Sequence, residues 1–91
     1  MEGYPFETIS DGLRIIYNLI DKGNLDNALW EITELEQHLK KKSPSIIEKY
    51  HLKTYFIKWR TRLISKDGHG IRLVLDELEL LAKKLDNVII D

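Results

Sequence analysis

The chain has 91 residues, no cysteine and a formal net charge of −1, and 43% of its residues are hydrophobic. That is enough for one small core, and it excludes disulfides, thiolate zinc sites and cysteine nucleophiles. No apolar run approaches the roughly 18 residues of a membrane span, and Met1-Glu2-Gly3-Tyr4 lacks the basic start of a signal peptide, so a soluble, cytoplasmic, single-domain protein is expected.

Pro5 suits the first turn of a helix over 5–22, stopped by Gly23. Its apolar positions are Ile9, Leu13, Ile16 and Ile20, widened by Ile15 and Leu19. Asn24 or Asp26 can cap a second helix over 24–41, in which Leu25, Ala28, Ile32, Leu35 and Leu39 step by three and four. Ser43-Pro44 is a start signal for a third helix over 44–66. Asp67-Gly68-His69-Gly70 reads as a turn. A fourth helix over 71–87 repeats the pattern with Ile71, Val74, Leu78, Leu81 and Leu85, and 88–91 form a short apolar tail. No segment alternates with period two for long enough to be a strand. The expected fold is all-α: a compact bundle of about four antiparallel helices in two hairpins, since the connections are short.

The third helix differs from the others. At about 100° per residue, Leu52, Phe56, Trp59 and Leu63 form one stripe, while Ile46, Tyr50, Ile57 and Ile64 form another more than a right angle away. A helix with two apolar stripes packs against two neighbours, or against one neighbour and a partner chain.

Gly23-Asn24-Leu25-Asp26-Asn27-Ala28 resembles the turn and second-helix start of a tetratricopeptide repeat, where Gly tightens the turn and a small Ala lets helices approach. The resemblance covers about a quarter of the chain. Ile16 stands where that family's first-helix glycine would be and Leu35 where its second alanine would be. The next hairpin begins about 45 residues later, not about 34. The likeness therefore implies shared helix-hairpin physics and not membership.

The near-neutral total conceals a segregation of charge. From Lys40 to Lys66 there are nine bases against Glu48 alone; the stretch before carries eight acids and two bases, and the stretch after carries six acids and three bases. Lys49, Lys53 and Arg60 fall between the two stripes of the third helix, while Lys58, Arg62 and Lys66 share an outer face with Tyr55. Such cations interleaved with aromatics suit phosphates and stacked bases, or an acidic partner. Lys53, Tyr55, Lys58, Arg60, Arg62 and Lys66 are thus the candidate residues for nucleic acid or an acidic protein. The bland alternative is neutralisation by acids of the second and fourth helices, with Lys40 to Lys42 simply closing a helix C-terminus.

Three apolar residues lie off the expected core arc: Trp30 on the second helix, and Leu73 and Leu80, one heptad apart, on the fourth. Lone exposed apolar residues are common, but a heptad pair and a tryptophan suit helix docking, so Trp30, Leu73 and Leu80 are the candidate protein-binding residues. His38, His51 and His69 fall on separate elements without metal-ligand spacing. Gly68-x-Gly70 lacks the strand and further glycine of a phosphate loop. Glu31 and Glu34 read as solvated charge and not as a catalytic pair. No catalytic, cofactor or metal residues and no small-molecule substrate are expected. The leading expectation is a non-enzymatic protein–protein interaction module, an accessory or adaptor subunit that self-associates or docks on a larger protein. The alternative is a small nucleic-acid-associated subunit using the basic third helix.

Overall fold

The computed structural model describes residues 8–90. Among them are five helices: α1 (Ile9–Asp21), α2 (Leu25–Lys42), α3 (Pro44–Lys49), α4 (Leu52–Ser65) and α5 (Gly68–Lys84). The all-α expectation holds; the count of about four does not, because the expected third helix is two. Pro5, the expected first-turn residue, lies outside the described residues. At the start of α1 the cap is Thr8, whose hydroxyl accepts from the Asp11 amide at 3.2 Å.

Local chemistry sets most of the boundaries. After α1, Gly23 takes φ +81°, its amide donates to the Ile20 carbonyl at 2.9 Å, and that of Asn24 donates to Leu19 at 2.8 Å. These two bonds satisfy the last carbonyls of the helix and reverse the chain. Lys40, Lys41 and Lys42 occupy the last turn of α2, where the helix dipole favours cations. Pro44 opens α3 at a position that needs no amide donor.

The break between α3 and α4 falls at Tyr50 and His51, and His51 adopts a left-handed backbone with φ 56° and ψ 39°. That conformation costs a non-glycine residue about 1–2 kcal/mol, so packing must return more. It does so by resolving the conflict between the two stripes. Leu52, Phe56, Trp59 and Leu63 are fully buried, and the kink lets Ile46, Ile47 and Tyr50 fold partly onto the same core. A straight helix would have carried them away from it.

The expected turn at residues 67–70 is also corrected. Asp67 is the N-cap of α5, its carboxylate accepting from the Gly70 amide at 3.0 Å, and Gly68, His69 and Gly70 are the first turn of the helix. Gly70 is buried, and a Cβ there would sit 3.4 Å from Cγ of Arg62. That is ordinary van der Waals contact, so α4 packs closely over this turn without requiring glycine there. At the other end α5 stops at Lys84.

The four longer helices form a closed circuit of neighbours: α1 packs on α2 and α5, and α4 packs on α2 and α5, with α3 bridging α2 to α4. One hydrophobic cluster fills the middle, with Ile9, Leu13, Ile16 and Ile20 facing Ile32, Leu35, Phe56, Trp59, Leu78 and Leu85. The radius of gyration of 12.2 Å matches the roughly 12 Å of a compact chain of this length. The tail returns to the start of α1: Thr8 and Ile89 form an isolated antiparallel bridge, the Ile9 amide donates to the Val88 carbonyl at 3.3 Å, and Ile90 is buried. Ser10 reinforces the closure, its buried hydroxyl donating to the Ala82 carbonyl at 2.8 Å.

Candidate interaction surface

Helix α4 carries four cations and no acid, and its two flanks are each met by a single glutamate. On the α5 side, Glu77 accepts from Lys58 Nζ at 2.9 Å through one oxygen and from the Trp59 indole N–H at 2.9 Å through the other. Arg62 Nη1 lies 3.6 Å from that second oxygen; the atom is buried, and this ion pair stands in for a hydrogen bond it does not make among the described residues. Lys58 also sits over the Tyr55 ring, 5.0 Å from its centroid, and Tyr55 packs on Trp59 at 5.6 Å. On the α2 side, Glu36 binds Arg60, and Lys40 reaches Glu36 across one helical turn at 3.7 Å. Arg60 also donates to Thr33 at 3.4 Å.

The structure therefore divides the six cation-and-aromatic candidates. Lys58 and Arg62, expected on an outer face with Tyr55, line the seam with α5; Tyr55 is partly buried beside Lys58 and Trp59, and Arg60 lines the seam with α2. Only Lys53 and Lys66 are exposed without an ion-pair partner among the described residues. Lys66 ends α4 in a left-handed conformation, φ 58°. Neutralisation within the chain accounts for three of the five candidate cations, Lys58, Arg60 and Arg62, and the acids responsible, Glu36 and Glu77, were not singled out in the sequence because these partners lie far away along it.

The apolar candidates divide too. Trp30 is 59% exposed and Leu80 is 72% exposed, but Leu73 is half-buried, so the pair does not make one open heptad stripe. The residues missed as site candidates are Ile57 and Ile64, at 53% and 65% exposure. Their signal was present in the second stripe of the expected third helix. The kink at His51 buries the first half of that stripe and leaves this half outside.

Other groups do not gather. Among the described residues no three His, Cys, Asp or Glu side chains are placed to hold a metal ion. Burial, then the neighbouring Glu34, raises the Glu31 carboxyl above its ordinary value. Burial, then Lys42 and Lys41, lowers the His38 imidazole. A shallow groove of about 310 Å³ runs between α1 and α5, walled by Leu13, Tyr17, Leu78 and Ala82. No helix among the described residues is long and apolar enough to cross a membrane. No protein family, curated protein or solved structure matches this chain, so function is argued from the surface alone.

Proposed function

We propose that the protein is a non-enzymatic interaction module, a small accessory or adaptor subunit that associates with itself or docks on a larger protein. One observation carries this. The core is sealed, yet Trp30, Ile57, Ile64 and Leu80 project from three different helices into solvent. Large apolar side chains left outside a filled core favour covering by another surface, at roughly 25 cal/mol for each Å² removed from water. The proposal treats the four longer helices as two antiparallel hairpins, α1–α2 and α4–α5, which the short connections and the circuit of neighbours support. It also places the protein in the cytoplasm, since a cysteine-free chain needs no oxidising compartment to reach its fold.

Light scattering over a wide concentration range, with quantitative affinity isolation, tests the idea. The expected result is a mass above the 10.7 kDa of one chain, or a stoichiometric partner, in either case lost on combining Trp30→Ser, Ile57→Ser, Ile64→Ser and Leu80→Glu with helicity unchanged. A protein that stays monomeric and retains no partner refutes it.

A second reading, a nucleic-acid-associated subunit, draws on Lys41, Lys42, Lys53 and Lys66, all exposed and without ion pairs among the described residues. It is weaker because Lys58, Arg60 and Arg62 are already engaged. Binding of this kind must fall steeply with salt, by about 0.9 in the log–log slope for each phosphate neutralised on duplex DNA.

A further inference from the structure

Resting on the interaction-module reading above, we propose that the outward face shared by α2 and α4 is the interface of a two-fold dimer, covered by a second copy of this chain. Arg60 donates to Thr33 at 3.4 Å and pairs with Glu36, which sets the middles of the two helices side by side. Only the short α3 returns the chain from the end of α2 to the start of α4, so the two run antiparallel. On α2, Asp26 and Lys40 lie one heptad to either side of Thr33. Both therefore share its side of the helix, each about 10 Å from it. Trp30 stands about 5 Å from Thr33 toward Asp26. On α4, Ile57 and Ile64 straddle Arg60, about 5 Å before it and about 6 Å after it. Asp26, Trp30, Lys40, Ile57 and Ile64 are all exposed. Along the face the order is thus an acid, then Trp30 level with Ile64, then the Thr33–Arg60 centre, then Ile57, then a basic end formed by Lys40 and Lys53.

The distribution of charge selects the occupant. Glu36 is shared by Arg60 and Lys40, so with Lys53 the basic end keeps a positive surplus, while the other end of α2 presents Asp26. Beyond Ile64 the chain leaves α4 through Lys66 and Asp67, whose charges offset each other. A uniformly acidic partner would be repelled at Asp26 and a uniformly basic one at Lys40 and Lys53. A phosphate backbone would leave three large apolar side chains uncovered. A copy turned about a two-fold axis that crosses both helices at Thr33 and Arg60 has neither fault. That rotation lays α2 antiparallel on α2 and α4 antiparallel on α4. Asp26 then meets Lys40 of the second copy, Ile57 meets Ile64, and Trp30 meets the stem of Gln37, each contact being made twice. The hydroxyls of Thr33 and Thr61 already donate to the Leu29 and Ile57 carbonyls, so covering them strands no donor. The face runs about 21 Å from Asp26 to Lys40 and about 20 Å across two helices, a footprint of about 400 Å² in flat projection. Interfaces at this low end of the size range are reversible and not permanent, so a dissociation constant in the micromolar range is expected.

The test is sedimentation equilibrium of the full chain from about 10 μM to about 1 mM. The mass should rise from the 10.7 kDa of one chain toward twice that value. Ile57→Ser with Ile64→Ser should weaken the dimer at least about tenfold. Asp26→Lys alone sets lysine against lysine, and Lys40→Glu alone sets acid against acid, so each should weaken it severalfold while the helical spectrum is retained. Mixing these two variants in equal amounts should restore the dimer, since each supplies the charge the other needs. Dilution of the isotope-labelled wild-type chain should move amide signals around Trp30, Ile57 and Ile64 and leave those around Leu80 in place. The proposal is overturned by a wild-type chain that stays monomeric at about 1 mM, whether or not another protein or a nucleic acid takes the face. Dilution shifts centred on Leu80 overturn it too, as do helical charge variants that fail to recover on mixing. A dimer formed through Leu80, or a monomer that holds a larger protein, removes the α2–α4 pairing and leaves the wider module reading standing; a monomer without any partner removes both.

Discussion

Glu77 holds three groups of α4 at once, so replacing it should separate α4 from α5 more than its partly exposed position implies. Trp59 is fully buried and its indole N–H has Glu77 as acceptor at 2.9 Å. In Glu77→Ala that donor is left unsatisfied, at a cost of about 1–3 kcal/mol. Loss of the Lys58 and Arg62 ion pairs, whose side chains are 35% and 28% exposed, adds about 0.2–1 kcal/mol each. The sum is about 1.4–5 kcal/mol, and at about 4–8 °C per kcal/mol for a domain of this size its middle value of about 3 kcal/mol lowers Tm by about 12–24 °C. Glu77→Gln keeps an amide oxygen for the indole and should cost only about 1 kcal/mol. Urea unfolding followed by far-ultraviolet circular dichroism measures both, and reads equally well when Trp59 is replaced. Trp59→Phe removes the donor, so in that background the penalty of Glu77→Ala should shrink by about 1–2 kcal/mol. Equal losses for Ala and Gln, or an alanine penalty unchanged by Trp59→Phe, would refute the role assigned to the indole bond.

His51 holds a left-handed backbone that glycine adopts without a steric penalty. His51→Gly should therefore stabilise the fold by up to about 1 kcal/mol, and His51→Val should destabilise it by more than that, both read from urea midpoints. His38 supplies a pH dependence. Its folded-state pKa lies below the ordinary 6.5 because burial, Lys42 and Lys41 disfavour the imidazolium, so the unfolded chain takes up the proton first. Stability is fully present above 6.5 and is lost as pH falls through 6.5 and then through the folded-state value. His38→Gln should flatten the stability–pH curve as pH falls through 6.5 and below; an unchanged slope would show that His38 does not set it.

Much of the fold was legible because the punctuation is local. Gly23 ends α1 through bonds reaching only three and five residues back, and Ser43-Pro44 starts α3 with proline in the first turn, where its missing amide costs nothing. The core stripe Leu52, Phe56, Trp59 and Leu63 was read correctly because period and burial agree. The kink at His51 was not legible, since nothing in Tyr50-His51-Leu52 forbids a continuous helix; the reward for breaking it comes from the core. The start of α5 was misread for a related reason. Two glycines in four residues argue for a turn, but the Asp67 carboxylate caps the helix by accepting from the Gly70 amide. For the surface, charge segregation was visible, but the acids that answer it were not. Lys58 and Glu77 are separated by nineteen residues and Arg60 and Glu36 by twenty-four, so only the tertiary fold decides which cations remain outside.

The bridge between Thr8 and Ile89 brings the first and last described stretches of the chain to within about 5 Å. A unit whose first and last described stretches meet at one pole behaves like a bead on a single stalk. It can be grafted into a surface loop of a host protein without prying that loop open, and a tether of a few residues could join its ends while new termini are cut elsewhere. Chain joined directly at Thr8 and at Ile90 leaves from the same corner, so domains fused at those two positions would be held side by side and not strung out along a line.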